Sequence, residues 1–308
     1  MLSRNITPAT LRATEYQMKH IIGVDLGGTN TKVGLVTPSG RIVKRTEVPT
    51  QTEKGSKVVI KNILDSIKKV KSGKILGIGI GSPGPLDYKK GIITNPVNLP
   101  FKNTPLKKII QNKFKLPTFL DNDANCFALA ETLFGNGKGK NNVIGLTLGT
   151  GIGGGIIINK KIYHGRGNAA EIGHMTIDYN GPKSRCGNDG CIETHAAARG
   201  ILSRSKGLKA GSPLDIHKLA LKNNSRAKKV FSDIGEFLGI AIANLNYAFD
   251  PDVVVLGGKI SNSWKFFSKS MLATIKKRYF SKPCKVVKTG LGRDAGILGA
   301  AALVLEKK

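Results

Sequence analysis

The chain has 308 residues, of which 40% are hydrophobic, so it is long enough for about two globular domains with cores of their own. Its 49 basic and 20 acidic side chains leave a formal net charge of +29, which attracts polyanions such as nucleic acid or polyphosphate. No apolar run approaches the about 18 to 20 residues that cross a bilayer, and the cysteines are too few for a disulfide framework. These features exclude a membrane-spanning protein and predict a protein of the reducing cytoplasm.

Strands and helices are predicted to alternate along the chain. Residues 1–20 lack the apolar centre of a secretory signal, and we expect an N-terminal extension there, with an organellar transit peptide as the alternative. Apolar runs bounded by glycine then predict strands at HIIGVDL, VGLVT, ILGIGIG, PTFL, VIGLTL, GGIIIN, DVVVLGG and KVVKT. Apolar periodicity predicts helices marked by Ile60, Ile63, Ile67 and Val70, by Leu106, Ile109, Ile110 and Phe114, by Phe127, Ala130, Leu133 and Phe134, and by the stretch 231–249. This alternation is typical of an α/β fold.

The positive charge is concentrated late in the chain. Asp215 is the single acid between Arg199 and Lys229, and residues 265–293 contain no acid. Because the lysines stand between apolar residues at helical spacing, a solvated helix face is the simpler interpretation. A polyanionic partner is the alternative.

Two glycine-rich stretches of the same form indicate an internal duplication. GVDLGGTNTKVGLV begins at Gly23 and GLTLGTGIGGGIII at Gly145, so the two match at an offset of 122 residues. Each is predicted to be a strand, a glycine turn and a second strand. The repetition predicts two similar lobes that face a cleft.

The glycine turns have the chemistry of an anion site. Backbone N–H groups without neighbouring β-carbons can converge on a phosphate, and Thr29, Asn30 and Thr150 add short polar donors. Either turn alone is more typical of a simple hairpin, whereas the pair favours a phosphate site. Asp25, in the strand before the first turn, is then placed to hold Mg²⁺ through water.

Two further elements are candidates for a site. In VVVLGGKIS, bare backbone at Gly257 and Gly258 could contact a flat base, or form a plain strand-to-helix turn. In DNDAN, Asp121, Asn122 and Asp123 precede an amphipathic helix. One residue suffices to cap a helix, so the second aspartate is a candidate general base that removes a proton from a hydroxyl.

The motifs DLGGTN, GSPGP, DNDAN, LGTGIGGG, GNAAEIGH and CGNDGCIE, in this order, resemble the ROK family, and in particular its bacterial glucokinase-like members. The resemblance runs from about residue 20 to the C-terminus. It implies a two-lobed, actin-like ATPase (ribonuclease H-like) α/β fold with a cleft between the lobes. We expect a small lobe at 21–122, completed by a C-terminal helix at 294–308, and a large lobe at 123–293.

The resemblance also implies roles for individual residues. Asp123 matches the catalytic base that acts on the 6-hydroxyl of a hexose such as glucose, with ATP as donor. The matching positions for the other sugar contacts are Gly81, Gly84, Asn122, Glu171, His174 and Glu193. Those for the nucleotide are Gly27, Gly28, Thr29, Thr150, Gly151, Gly257 and Gly258, to which the chemistry of the first turn adds Asp25 and Asn30.

A zinc site is implied with one ligand changed. His174, Cys186 and Cys191 match the family's zinc knuckle, but its C-x-C-G-x-x-G-C pattern has Ser184 here in place of the first cysteine. A neutral hydroxyl is a poor substitute for a thiolate. Weakened Zn²⁺ binding and a metal-free turn that positions Glu193 and His174 are both open.

Other activities compete with that of an ATP-dependent glucokinase. The family includes sugar-responsive repressors, which carry a DNA-binding unit before the first glycine motif; few residues precede DLGGTN here, so we expect no nucleic-acid partner. Inorganic polyphosphate is an alternative donor. Mannose, fructose and N-acetylhexosamines are alternative acceptors. The resemblance further implies a homodimer.

Overall fold

A computed structural model of the protein describes residues 19–306, so the predicted extension at 1–20 lies almost wholly outside the described residues. The described residues form two compact units, one comprising residues 19–134 with 293–306 and the other Gly135–Gly292. Within residues 19–306, no helix is both long enough and apolar enough to cross a membrane.

The strands follow the predicted apolar runs closely. They are β1 (Lys19–Leu26), β2 (Asn30–Val36), β3 (Ile42–Pro49), β4 (Lys74–Ser82), β5 (Leu86–Asp87), β6 (Ile92–Ile93), β7 (Thr118–Asn122), β8 (Val143–Leu148), β9 (Ile152–Ile158), β10 (Lys161–Ile162), β11 (Val253–Gly257) and β12 (Lys285–Lys288). The short strands β5, β6 and β10 were not predicted, nor was β3, because its sequence IVKRTEVP is interrupted by charges. Such charges are typical of a solvent-facing edge strand, and β3 is the edge of its sheet.

The helices include the predicted ones. They are α1 (Ser56–Val70), α2 (Leu106–Phe114), α3 (Asp123–Leu133), α4 (Ile192–Ala196), α5 (Ala198–Arg204), α6 (Pro213–Leu221), α7 (Ser225–Phe249), α8 (Trp264–Arg278) and α9 (Ala295–Glu306). The apolar stretch at 231–249 lies in α7, whose inner face contributes Phe231, Ile234 and Leu238 to the core of the second unit. Helical periodicity therefore identified α1, α2, α3 and α7, whereas α4, α5, α6 and α8 were not predicted.

The two units contain sheets of the same topology. The first has the strand order β3-β2-β1-β4-β7, and the second has β10-β9-β8-β11-β12. In each, three antiparallel strands are followed by two strands parallel to the central one. The hairpin β1–β2 corresponds to the hairpin β8–β9, which confirms the duplication predicted from the two glycine stretches.

Helix α9 lies directly on the first sheet because glycines leave room for it. A Cβ at Gly79 would lie 1.7 Å from the carbonyl oxygen of Ala300, and one at Gly23 would lie 2.1 Å from that of Ile297. On the opposite side, a Cβ at Gly299 would lie 2.2 Å from the carbonyl oxygen of Cys126 in α3. Helix α3 thereby belongs to the first unit, and the units divide after Phe134 rather than at the expected 122/123 boundary.

Replacing Gly79 with alanine tests this close packing. We expect Gly79→Ala to destabilise the first unit by about 3 kcal/mol, because the helix must move away from the strand to admit the methyl group. Urea unfolding followed by circular dichroism measures the change. Gly211→Ala is the matched control, since the nearest atom to its new Cβ is an Asp215 oxygen 4.0 Å away. Equal unfolding midpoints for the two variants would contradict the assignment.

Candidate active site

The first unit places its candidate residues at the carboxyl ends of parallel strands. Asp25 of β1 pairs in register with Gly81 of β4, and Gly81 pairs with Asp121 of β7. Neighbouring strands lie about 4.8 Å apart. The three predicted motifs DLGGTN, GSPGP and DNDAN therefore end side by side along one edge of one sheet.

Asp25 lies between a lysine and the start of a helix. Its Oδ2 is 3.4 Å from Lys32 Nζ on β2, the residue that faces it across the hairpin. A Cβ at Gly296, in the first turn of α9, would lie 2.4 Å from the Asp25 carboxyl carbon. Burial raises the pKa of Asp25, while the charge of Lys32 acts in the opposite direction. The carboxylate is thus held in one place by its surroundings.

Hydrogen bonds within the first glycine turn, and from Thr50 at the end of β3, fix the conformation of the turn. The Gly27 N–H donates to the Asn30 carbonyl (3.1 Å). The Thr50 hydroxyl donates to the Gly27 carbonyl (2.7 Å), and the Thr50 N–H donates to the Thr29 carbonyl (2.8 Å). Thr50 lies in no recognisable sequence motif, so it was not predicted to be a functional residue.

Only some of the hydrogen-bond donors in this turn are available to a ligand. The Asn30 side-chain amide donates to Glu47 Oε1 at 2.9 Å, so it is directed to a neighbouring strand. Among the described residues, no backbone carbonyl accepts the N–H of Gly28 or Thr29. A Cβ at Gly28 would lie 3.0 Å from the Asn98 carbonyl oxygen. Gly28 and Thr29 are accordingly the donors that an anion could use.

Asp121, Asn122 and Asp123 each have a different role. Asp121 is buried, and its Oδ1 accepts from the Asn122 N–H and from the Asn125 side chain. Asn122 is the N-cap of α3, since its Oδ1 accepts the N–H groups of Ala124 (2.8 Å) and Asn125 (3.4 Å). Asp123 is exposed in the first helical turn. Asn122 therefore caps α3, while the exposed Asp123 carboxylate, whose Oδ1 also accepts the Ala124 N–H at 2.9 Å, remains accessible to a substrate.

The glycine turn after β4 lies against the start of α3. A Cβ at Gly84 would lie 3.6 Å from the Asn122 Nδ2 atom, and one at Gly81 would lie 3.2 Å from Cys126 Sγ. The structure therefore brings Gly81, Gly84, Asn122 and Asp123 together within the first unit.

The second unit brings two glycine elements together. Gly149 donates to the Gly151 carbonyl (3.0 Å), and its own carbonyl accepts the N–H of Ala198 at the start of α5 (3.1 Å). Gly258 has φ +81, and a Cβ there would lie 2.2 Å from the Leu148 carbonyl oxygen. Only glycine fits a left-handed conformation so close to another backbone. Gly257 and Gly258 thus lie beside the turn that contains Thr150 and Gly151.

Glu193 in α4 is the centre of the second polar group. Its Oε1 accepts the Ser184 hydroxyl (3.1 Å) and lies 3.6 Å from His174 Nδ1. Glu171 approaches the other side of the same ring, with Oε2 4.0 Å from Nε2. A Cβ at Gly151 would lie 3.0 Å from Glu193 Oε2. The predicted residues Glu171, His174 and Glu193 are therefore neighbours, and they adjoin the second glycine turn.

The two cysteines complete this group. Cys186 Sγ and Cys191 Sγ are 3.5 Å apart, and both cysteines are free. A hydrogen bond with the Ser184 hydroxyl, supported by one at the Asn188 backbone, lowers the pKa of Cys186 to about 7. Burial raises the pKa of Cys191.

The donor set fits zinc in three of four positions. Ligand atoms of His174, Cys186 and Cys191 all lie within 4.8 Å of one another. Tetrahedral zinc with these ligand types places donors about 3.6 to 3.8 Å apart. The Ser184 hydroxyl stands where the fourth ligand is expected, and it donates to Glu193.

Curated proteins similar to this chain include glucokinases and xylose repressors. The glucokinase of Halalkalibacterium halodurans is 36% identical over 93% of this chain and 95% of its own length. The glucokinase of Thermotoga maritima is 37% identical over 93% of this chain and 98% of its own length. A putative xylose repressor of Caldicellulosiruptor is 33% identical over 92% of this chain and 78% of its own length.

Solved structures and a family model agree with these likenesses. The ROK hexokinase of Thermus thermophilus is similar with a TM-score of 0.82 at 30% identity, over 94% of this chain and 99% of that one. A ROK family glucokinase of Streptomyces griseus, solved with glucose and AMPPNP, gives 0.79 at 30% identity over 92% and 98%. These likenesses confirm the predicted α/β fold of the actin-like ATPase type. The model of the ROK family matches residues 21–307, and the chain therefore belongs to the ROK family.

Proposed function

We propose that this protein is an ATP-dependent hexose kinase, a glucokinase that phosphorylates the 6-hydroxyl of glucose. The exposed Asp123 carboxylate, beside a helix cap that another residue already provides, is the observation that carries the proposal. The two curated glucokinases are more similar to the chain than the putative repressor, at 36% and 37% against 33% identity.

Asp123 acts as general base in this proposal. It accepts the proton of the 6-hydroxyl as that oxygen attacks the γ-phosphorus of ATP. Asn122 offers the amide N–H₂ that its capping oxygen leaves available. Glu171, His174 and Glu193 bind further hydroxyls, and the Gly81–Gly84 turn lines the sugar pocket. Carboxylate and amide groups bind in fixed directions, so a sugar lacking one hydroxyl leaves a polar group unpaired.

The glycine turns hold the phosphates. Gly28 and Thr29 supply backbone donors in the first unit, with Gly27 and Asn30 shaping the turn. Thr150 and Gly151 supply donors in the second unit, and Gly257 with Gly258 contacts the adenosine. Asp25 would hold Mg²⁺ through water, and the ion when bound would neutralise phosphate charge.

Alignment of the two substrates accounts for most of the expected rate enhancement. Positioning two reactants lowers the barrier by about 7 to 11 kcal/mol, whereas a general base contributes about 3 to 5 kcal/mol. The proposal therefore requires that the residues of both units act on one pair of substrates. It also predicts that loss of the base leaves binding intact. We further propose that the enzyme is a cytoplasmic homodimer that serves glycolysis.

Zinc is proposed at His174, Cys186 and Cys191, with a weakened fourth position at Ser184. The short distances among the three donors support it, as does the buried His174 Nδ1, which has no hydrogen-bond partner among the described residues. When bound, zinc would fix the orientation of the histidine ring without entering the phosphoryl chemistry.

Substitution of Asp123 tests the base. Asp123→Asn should reduce kcat by about 10² to 10⁴-fold while the dissociation constants of glucose and ATP change less than about threefold, since the amide keeps the side chain's size. Coupled kinetics and calorimetry measure these quantities. Asp65→Asn, a half-buried carboxylate on α1 that pairs with Lys61 and Lys68, is the control and should retain full turnover. Near wild-type turnover by Asp123→Asn would remove this residue from its role.

A substrate panel tests the specificity. With Mg-ATP, we expect the highest kcat/KM for glucose among glucose, mannose, fructose, N-acetylglucosamine and N-acetylmannosamine. At fixed glucose, ATP should support faster turnover than inorganic polyphosphate. A higher kcat/KM for another hexose would keep the kinase but reassign its acceptor, and preference for polyphosphate would reassign its donor.

Metal analysis tests the zinc site. The purified protein should bind up to one zinc per chain, and Ser184→Cys should tighten binding about tenfold or more, because it restores a thiolate ligand. Competition with a chelator measures the affinity without reference to activity. Ser184→Ala is the control and should bind zinc as the wild type does. A zinc-to-protein ratio near zero for the wild type in zinc-supplemented buffer would refute the site.

A further inference from the structure

A groove lined by lysines lies in the second unit, where the end of α6 meets the first turns of α7 and α8. It is largely open to solvent, and its volume of about 840 Å³ is enough for a small molecule. Lys228, Lys229, Lys265 and Lys269 line it. Among the described residues that form its wall, none is acidic. The groove thus combines a concave shape with charge of one sign.

Most of this charge is not neutralised by the protein. Lys229 forms an ion pair with Asp233. Lys228 donates to the Asn223 side-chain oxygen at 2.8 Å, and Lys265 lies 5.0 Å from the centre of the Phe266 ring. Lys269 makes no hydrogen bond or ion pair with any residue in the range 19–306. Three of the four ammonium groups therefore have no carboxylate partner among the described residues.

The N-termini of α7 and α8 add to the positive electrostatic potential of the groove. The N-terminus of a helix carries partial positive charge and ordinarily has acids in its first turn. Neither α7 nor α8 has one there. Instead, Ser225 and Lys265 from the two first turns face the groove. Lysines beside helix N-termini repel the helix dipole, and a bound anion removes that repulsion.

We propose that this groove binds a small anion that carries several phosphate groups. The three unneutralised lysines match several negative charges, and the serine hydroxyls of Ser225 and Ser232 can donate to phosphate oxygens. The concavity suits a compact ligand better than a nucleic-acid duplex. No residue of the groove belongs to the proposed catalytic set, so the site is independent of the kinase proposal.

Binding to the intact protein tests the proposal. The probe is radiolabelled tripolyphosphate in equilibrium dialysis, with glucose, Mg²⁺ and AMPPNP at saturating concentrations so that the catalytic site is filled. We expect one tripolyphosphate per chain under these conditions. Lys228→Ala combined with Lys269→Ala should weaken binding at least tenfold. Lys276→Ala combined with Lys277→Ala is the matched control, since these lysines are exposed at the far end of the same helix α8.

A second arm distinguishes the sources of the phosphates. Tighter binding of tripolyphosphate than of glucose 1,6-bisphosphate assigns the groove to a linear oligophosphate, and the reverse assigns it to a phosphorylated sugar. Three results would overturn the proposal: no binding once AMPPNP fills the catalytic site, equal loss in the control variant, or tighter binding of a single-stranded oligonucleotide that depends on the same two lysines.

Discussion

The close approach of α9 to the glycine-bearing strands β1 and β4 is the contact on which the first unit depends. Ordinary helix–sheet packing separates backbones by side chains, but here the Ala300 carbonyl occupies the place of a side chain at Gly79. The same approach at Gly296 sets the start of α9 against the Asp25 carboxylate. A residue far along the chain therefore fixes the position of the first acidic group in the sequence motif DLGGTN.

Glycine serves a second purpose in both units. At Gly28, Gly151 and Gly258, the missing side chain brings a backbone or carboxylate atom close to a turn whose N–H groups are available. Gly23 in β1 contacts α9, and only a few residues later Gly27 and Gly28 form the turn. Sequence alone does not separate the two uses, because both are glycines bordered by apolar residues.

Eight of the twelve described strands, four of the helices and the repeated hairpin could be predicted because hydrophobic periodicity and glycine position are local signals. β3 was not predicted because its stability comes from pairing with β2 and not from its own apolar content. Thr50 was missed for a similar reason, since its two hydrogen bonds join it to a turn more than 20 residues earlier. For the acidic cluster, the sequence supplied the competing roles of cap and base, and only the hydrogen bonds of Asn122 show which residue is the cap.

The uneven charge of the chain acquires a physical explanation only in three dimensions. Along the sequence, lysines in 199–229 and 265–293 have the spacing of a solvated helix face, and many of them are indeed exposed. Yet α7 and α8 pack side by side, so lysines from separate basic segments meet around a single cavity. Like charges repel one another, so lysines that share one wall raise its affinity for anions. A wall that four lysines share, with no acid among its described residues, is one that an anionic ligand stabilises, and a one-dimensional pattern of lysines cannot reveal it.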